Sequence, residues 1–81
     1  MQILLVEDDA KLGRQVSDNL TTAGYGVTWL TRGDEARAHD LAPYALVILD
    51  LMLPGAHGFD VLKAIRGDRH QVPVLVLSAR L

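Results

Sequence analysis

The sequence predicts an α/β fold built on an open parallel sheet with helices over both faces. Three observations carry that prediction. Short apolar runs recur at Ile3-Leu4-Leu5-Val6, Ala45-Leu46-Val47-Ile48-Leu49 and Val74-Leu75-Val76-Leu77. None alternates with polar residues, the habit of strands covered on both faces. The stretches between them show helical spacing, so the chain reads β-α-β-α-β-α-β, an alternation that implies parallel crossovers.

Each element has its own signals. The first strand, Ile3 to Val6, runs into three acids, Glu7-Asp8-Asp9. Leu12, Val16 and Leu20 then recur every four residues and continue to Ala23, with Gly24 as a C-terminal stop. Asp8 or Asp9 is placed to cap this helix, where a carboxylate also suits the dipole, and Asp9 is the better cap. Gly24 and Gly26 introduce a weaker strand, Val27 to Leu30, with Trp29 packing at the sheet edge. The second helix is expected near Asp34 to Leu41, with His39 on its inner face. The third strand ends in Asp50. The third helix is expected from Gly58 to Arg66 on a stripe of Val61, Leu62 and Ile65, with Gly67 after it. Pro73 opens the fourth strand, where a missing N–H is tolerated. Right-handed crossovers in the flavodoxin-like version of such a fold give strand order 2-1-3-4.

Composition narrows the function. An 81-residue chain allows one domain, 1–81, with limited burial. At 49% hydrophobic and 22% charged it is a globular composition. A net charge of −2 with no basic stripe argues against direct nucleic-acid binding by this segment. No cysteine excludes thiolate and disulfide chemistry. No apolar run approaches the roughly 20 residues of a membrane span, and the start lacks a basic leader. The expected location is the cytoplasm.

Ligands of open parallel sheets sit beyond the carboxyl ends of the strands, beside the switch point in strand order. There the first strand offers Glu7-Asp8-Asp9, the third Asp50 and the fourth Ser78-Ala79. In a 2-1-3-4 sheet the first and third strands are neighbours, so their acids converge. Crowded carboxylates need a counter-charge, and a hard divalent cation such as Mg²⁺ provides one while leaving room for phosphate oxygens. A carboxylate beside such an ion is a candidate nucleophile toward phosphorus.

In these residues the chain resembles the receiver domain of two-component response regulators, in particular the subfamily with a C-terminal winged-helix DNA-binding domain. The resemblance rests on Leu4-Leu5-Val6-Glu7-Asp8-Asp9, on Leu46 to Gly55 with its Asp50-Leu51-Met52-Leu53-Pro54-Gly55 turn, on Gly58, and on Pro73 to Arg80. It implies that Asp50 accepts a phosphoryl group from a sensor histidine kinase. It further implies that Asp8 and Asp50 bind Mg²⁺ directly, that Glu7 does so through water, and that the Met52 backbone carbonyl adds a ligand. Ser78 matches the switch hydroxyl and Ala79 the small residue beside it. The output, a DNA-binding domain, would lie elsewhere in the parent chain. Ala56-His57 departs from the Met-Asp common in the family, and Ser78 from its commoner Thr.

The family pattern continues with a helix, a strand ending in an essential Lys, and a last helix, none of which lies within 1–81. Lys11 and Lys63 do not match that Lys. A chain that truly ended here would expose an edge and an apolar face, and is expected to form a homo-oligomer. The missing Lys also leaves open a switch-inactive interaction or dimerisation module. A phosphohydrolase with an Asp nucleophile needs a second Asp two residues on, where Met52 stands and cannot move a proton. A nucleotide-binding domain needs a glycine-rich loop after the first strand, where acids stand instead. His39, His57 and His70 have no ligand-like spacing and read as structural or solvated.

Overall fold

The computed structural model describes residues 1–51, 58–67 and 71–77. Among these residues seven elements follow in order: β1 (Gln2–Val6), α1 (Ala10–Thr22), β2 (Gly26–Leu30), α2 (Gly33–Ala38), β3 (Leu46–Asp50), α3 (Gly58–Gly67) and β4 (Val74–Leu77). All strand pairs are parallel and the order is β2-β1-β3-β4. This is the flavodoxin-like arrangement, with the switch point between β1 and β3.

The continuous apolar runs are explained by two separate cores, one on each face. Leu4, Val6, Val47 and Leu49 point to one side and pack with Ala36 of α2, Leu41, and Val61 and Ile65 of α3. Ile3, Leu5 and Ile48 point to the other and pack with Val16 and Leu20 of α1 and with Val27 and Trp29 of β2. Alternation survives as a choice between two apolar layers, because successive residues of a strand face opposite ways. β4 departs from the expectation of cover on both faces. It lies at the sheet edge, and Leu75 and Val76 are 52% and 39% exposed.

α1 begins where the acids end. The Asp9 carboxylate accepts from the Lys11 and Leu12 amides at 2.9 and 3.1 Å, so Asp9, not Asp8, is the cap. That leaves the Asp8 side chain outside the cap. The helix stops at Gly24, whose φ of 100° a side chain would oppose. The Tyr25 amide donates to Leu20 O and the Gly24 amide to Thr21 O, which together form a Schellman ending.

α2 is shorter than expected. It ends at Ala38, and His39 is extended with φ −83° and ψ 140°. Pro43 bars any helix from running through position 43, where its ring would meet the His39 carbonyl. Asp40 instead turns the chain by accepting from the Ala42 amide at 3.0 Å. Leu41 therefore reaches the core from a turn, and His39 is half-buried with its Nε2 2.8 Å from the Tyr44 hydroxyl. α3 matches its expected stripe, with Val61 and Ile65 buried and Leu62 partly so. Its end is tied to the approach to β4 by the Arg66 guanidinium, which donates to Val72 O at 2.9 Å. No helix among the described residues is long and apolar enough to cross a membrane.

α1 approaches β2 so closely that only glycine fits at position 13. A methyl group built on Gly13 would overlap the Trp29 indole at Cζ2 and Cε2. Gly13→Ala is expected to lower stability. Overpacking of this kind costs about 1–3 kcal/mol, against roughly 1 kcal/mol gained in helix propensity. Thermal unfolding checks it, and a variant as stable as the parent would show that the indole can move aside.

Candidate metal and phosphoryl site

The site begins with register. Val6 pairs with Leu49, so one step further along both strands sets Glu7 beside Asp50 at adjoining carboxyl ends. Asp8 follows immediately, before Asp9 caps α1. Carboxylate oxygens of Glu7, Asp8 and Asp50 all lie within 4.8 Å of one another, a spacing at which one ion can bridge them. The three are graded in exposure. Glu7 is 2% exposed, Asp50 half-buried and Asp8 exposed. The cluster is therefore closed at the sheet and open to solvent at Asp8.

The electrostatics of the cluster are those of crowded acids. The Glu7 carboxyl is pushed up to about 7 from 4.5, chiefly because burial disfavours its charged form. The Asp9 amide, which donates to Glu7 Oε2 at 3.0 Å, opposes the shift. Hydrogen bonding to Asp50, the Asp50 charge and hydrogen bonding to Asp8 reinforce it. Among the described residues, the groups acting on Glu7 are the Asp9 amide and the two neighbouring acids, Asp50 and Asp8. Such a donor set, all oxygen and short of positive charge, fits a hard divalent ion such as Mg²⁺. At Asp50 the sheet supplies a neighbour on each side, since Leu77 of β4 is its register partner.

Glu7, Asp8 and Asp50 are thus brought together as the sequence suggests. Ser78, one residue past Leu77, lies outside the described residues, as do Met52, Ala79 and the turn at Pro54-Gly55. His57 and His70 also lie outside them. Lys11 and Lys63 sit on α1 and α3.

One residue was expected to do less than it does. Trp29 packs at the edge strand, and its indole Nε1 also donates to the Glu7 carbonyl at 2.8 Å. The Glu7 amide in turn donates to Leu30 O at 2.9 Å. Consecutive residues of β2 thereby hold both sides of Glu7. A signal for this was present in the sequence: a glycine inside a helical pattern, Gly13, marks a close approach. It needed the register Leu5↔Trp29 to identify what approaches.

Comparison with known proteins gives the setting. A family model described as the response regulator receiver domain matches residues 3–81. The chain is 44% identical over 81 residues to the transcriptional regulatory protein QseB of Escherichia coli O157:H7, covering 99% of this chain and 37% of that protein. It is 43% identical over 82 residues to a probable transcriptional regulatory protein, SilR, of Salmonella typhimurium, covering 98% of this chain and 35% of that protein. The chain thus spans little more than a third of the curated relatives it matches. Among solved structures it resembles the non-phosphorylated HemR receiver domain from Leptospira biflexa, with TM-score 0.90 and 38% identity over 98% of this chain and 64% of that one. It also resembles the BeF3-activated RstA receiver domain from Klebsiella pneumoniae, with TM-score 0.91 and 32% identity over 100% and 69%. A third likeness is to the response regulator TrrA from Thermotoga maritima, in complex with Mg(2+)-BeF, with TM-score 0.89 and 30% identity over 98% and 70%.

Proposed function

The chain belongs to the response regulator receiver domain family, and from that premise we propose that it is a phosphorylation switch whose acceptor is Asp50. The observation that carries this reading is the convergence of Glu7, Asp8 and Asp50 within 4.8 Å at adjoining strand ends. Asp8, Asp50 and the Met52 carbonyl would hold Mg²⁺, with Glu7 behind them through water. A bound Mg²⁺ offsets the repulsion between an attacking carboxylate and the incoming phosphoryl group. An oxygen of Asp50 attacks phosphorus in line, the bond from phosphorus to the donor histidine breaks, and an aspartyl phosphate remains. The Ser78 hydroxyl donates a hydrogen bond to the new phosphoryl group and moves in the switch.

The donor in this reading is a sensor histidine kinase. The responder is an output domain of the parent chain, DNA-binding as in the transcriptional regulators it resembles. The segment itself contacts neither nucleic acid nor membrane, and the cytoplasm is its setting. Loss of the phosphoryl group is self-directed, so the chain turns over no substrate and is not an enzyme in that sense. Met52 counts against a phosphohydrolase, because it offers no acid two residues after the nucleophile.

Incubation of the full-length protein with acetyl phosphate and Mg²⁺ is expected to add one phosphoryl group, located at Asp50 by peptide mapping. Chelating the metal should prevent it. A protein that gains no mass, and shows no spectral response to BeF₃⁻ with Mg²⁺, would overturn the reading.

A further inference from the structure

We propose that Trp29 is a positioning residue for the metal site, orienting Asp8 through the peptide that joins it to Glu7. The inference rests on the proposed function, because it assigns Asp8 as a direct ligand. Asp8 is the least enclosed of the three acids, and its side chain is spared from capping α1. Something other than burial must fix its direction. The peptide between Glu7 and Asp8 is planar, so fixing its carbonyl also fixes its N–H and the start of Asp8.

That carbonyl is held from outside the local chain. Trp29 lies 22 residues away, on β2, and its Nε1 donates to Glu7 O at 2.8 Å in a partly buried setting. The opposite side of Glu7 is held by Leu30 O, which accepts from its amide at 2.9 Å. The two contacts come from consecutive residues of one strand, so the position of Glu7 follows that of β2. The indole is itself confined. It packs in the core beneath α1, and Gly13 leaves it room that even a methyl group would take away. A partly buried indole N–H needs an acceptor, and the one it has here is the carbonyl of the peptide that leads into Asp8. Asp8 is thereby held on one side by the α1 cap at Asp9 and on the other by this clamp.

The test keeps the packing and removes the hydrogen bond. Trp29 is replaced in the protein by benzothienylalanine, which has the shape of tryptophan but sulfur in place of the N–H. Trp29→Phe serves as a second variant. Mg²⁺ affinity is measured by calorimetry under conditions where each protein is folded by circular dichroism, and acetyl phosphate uptake is followed against Mg²⁺ concentration. Removing one ordinary hydrogen bond corresponds to about a fivefold change in an equilibrium constant. Because the bond is already made before the ion binds, that factor is a ceiling, and the Mg²⁺ dissociation constant is expected to rise by about two- to fivefold, on the order of 0.5–1 kcal/mol, in both variants. Uptake should shift to higher Mg²⁺ while keeping its saturating rate. A purely structural tryptophan would lower the melting temperature and leave both Mg²⁺ curves in place, and that result overturns the proposal. A parent protein that binds Mg²⁺ and takes up phosphate, beside variants that match it, refutes the role of Trp29 alone. A parent that does neither overturns the proposed function and this inference together.

Discussion

Asp50→Asn is expected to abolish phosphoryl uptake at every Mg²⁺ concentration and, at the same time, to make the metal-free protein more stable. The first effect follows from chemistry, since an amide oxygen is not the nucleophile that forms an acyl phosphate. The second follows from the cluster. Asp50 acts on Glu7 both by hydrogen bonding and by charge, within a group whose oxygens lie inside 4.8 Å. Two unit charges about 4 Å apart repel by roughly 4 kcal/mol at an effective dielectric near 20, and the half-exposure of Asp50 reduces this to about 1–2 kcal/mol. Above neutral pH, where Glu7 ionises, Asn at this position removes that repulsion while keeping an oxygen and nearly the same volume. Urea unfolding without metal measures the gain, and mass spectrometry after acetyl phosphate measures the loss. Added Mg²⁺ should stabilise the parent more than the variant, because a ligand stabilises whichever form binds it better. A strand-end Asp that merely capped a turn would give the opposite result. The variant would then be less stable without metal, and uptake would be unaffected.

The two halves of that expectation differ in how far the sequence alone could reach. The parallel sheet is legible because the runs at Ile3, Ala45 and Val74 lack polar alternation, and its order 2-1-3-4 follows from taking the flavodoxin-like version of that fold. The meeting of Glu7 and Asp8 with Asp50 followed from that order, before any distance was known. The end of α2 at Ala38, three residues short of Leu41, is not legible because alanine-rich spacing is a weak periodic signal. What ends the helix is local: His39 is extended and the Asp40 carboxylate turns the chain at the Ala42 amide. The raised Glu7 carboxyl was not legible either. An acid at a strand end reads as solvated until the packing shows it 2% exposed. Trp29 was placed at the edge correctly, but its bond to Glu7 depends on Gly13 admitting the ring, a contact between α1 and β2 that spacing along the chain does not reveal. What the sequence carried was the identity of the acids. What it did not carry was how strongly the fold holds them against their own charge.

Stability without metal should therefore fall as the pH rises from about 4.5 toward neutrality, and Mg²⁺ should flatten or reverse that fall. Glu7 is held at about 7 in the folded chain against 4.5 when unperturbed. Below the unperturbed value it is neutral in both states and imposes no penalty. Between the two values the unfolded chain ionises and the folded chain keeps its proton, so unfolding gains with every step in pH. Once the pH passes about 7 the penalty is complete, and at 1.36 kcal/mol per unit it amounts to about 3 kcal/mol. Urea unfolding from about pH 5 to about pH 8 should show most of that loss in the metal-free parent. Glu7→Gln, which cannot ionise, should hold its stability across the same window. The slope has to disappear in that variant for Glu7 to be its source, and an unchanged slope would assign it to another group. Under the proposed reading, Mg²⁺ binds the ionised cluster, so its stabilisation grows in the pH range where the penalty grows. If Mg²⁺ raised stability equally at both ends of the range, its binding would be independent of Glu7 ionisation. The acid would then be a cost carried by the fold, with no share in holding the ion.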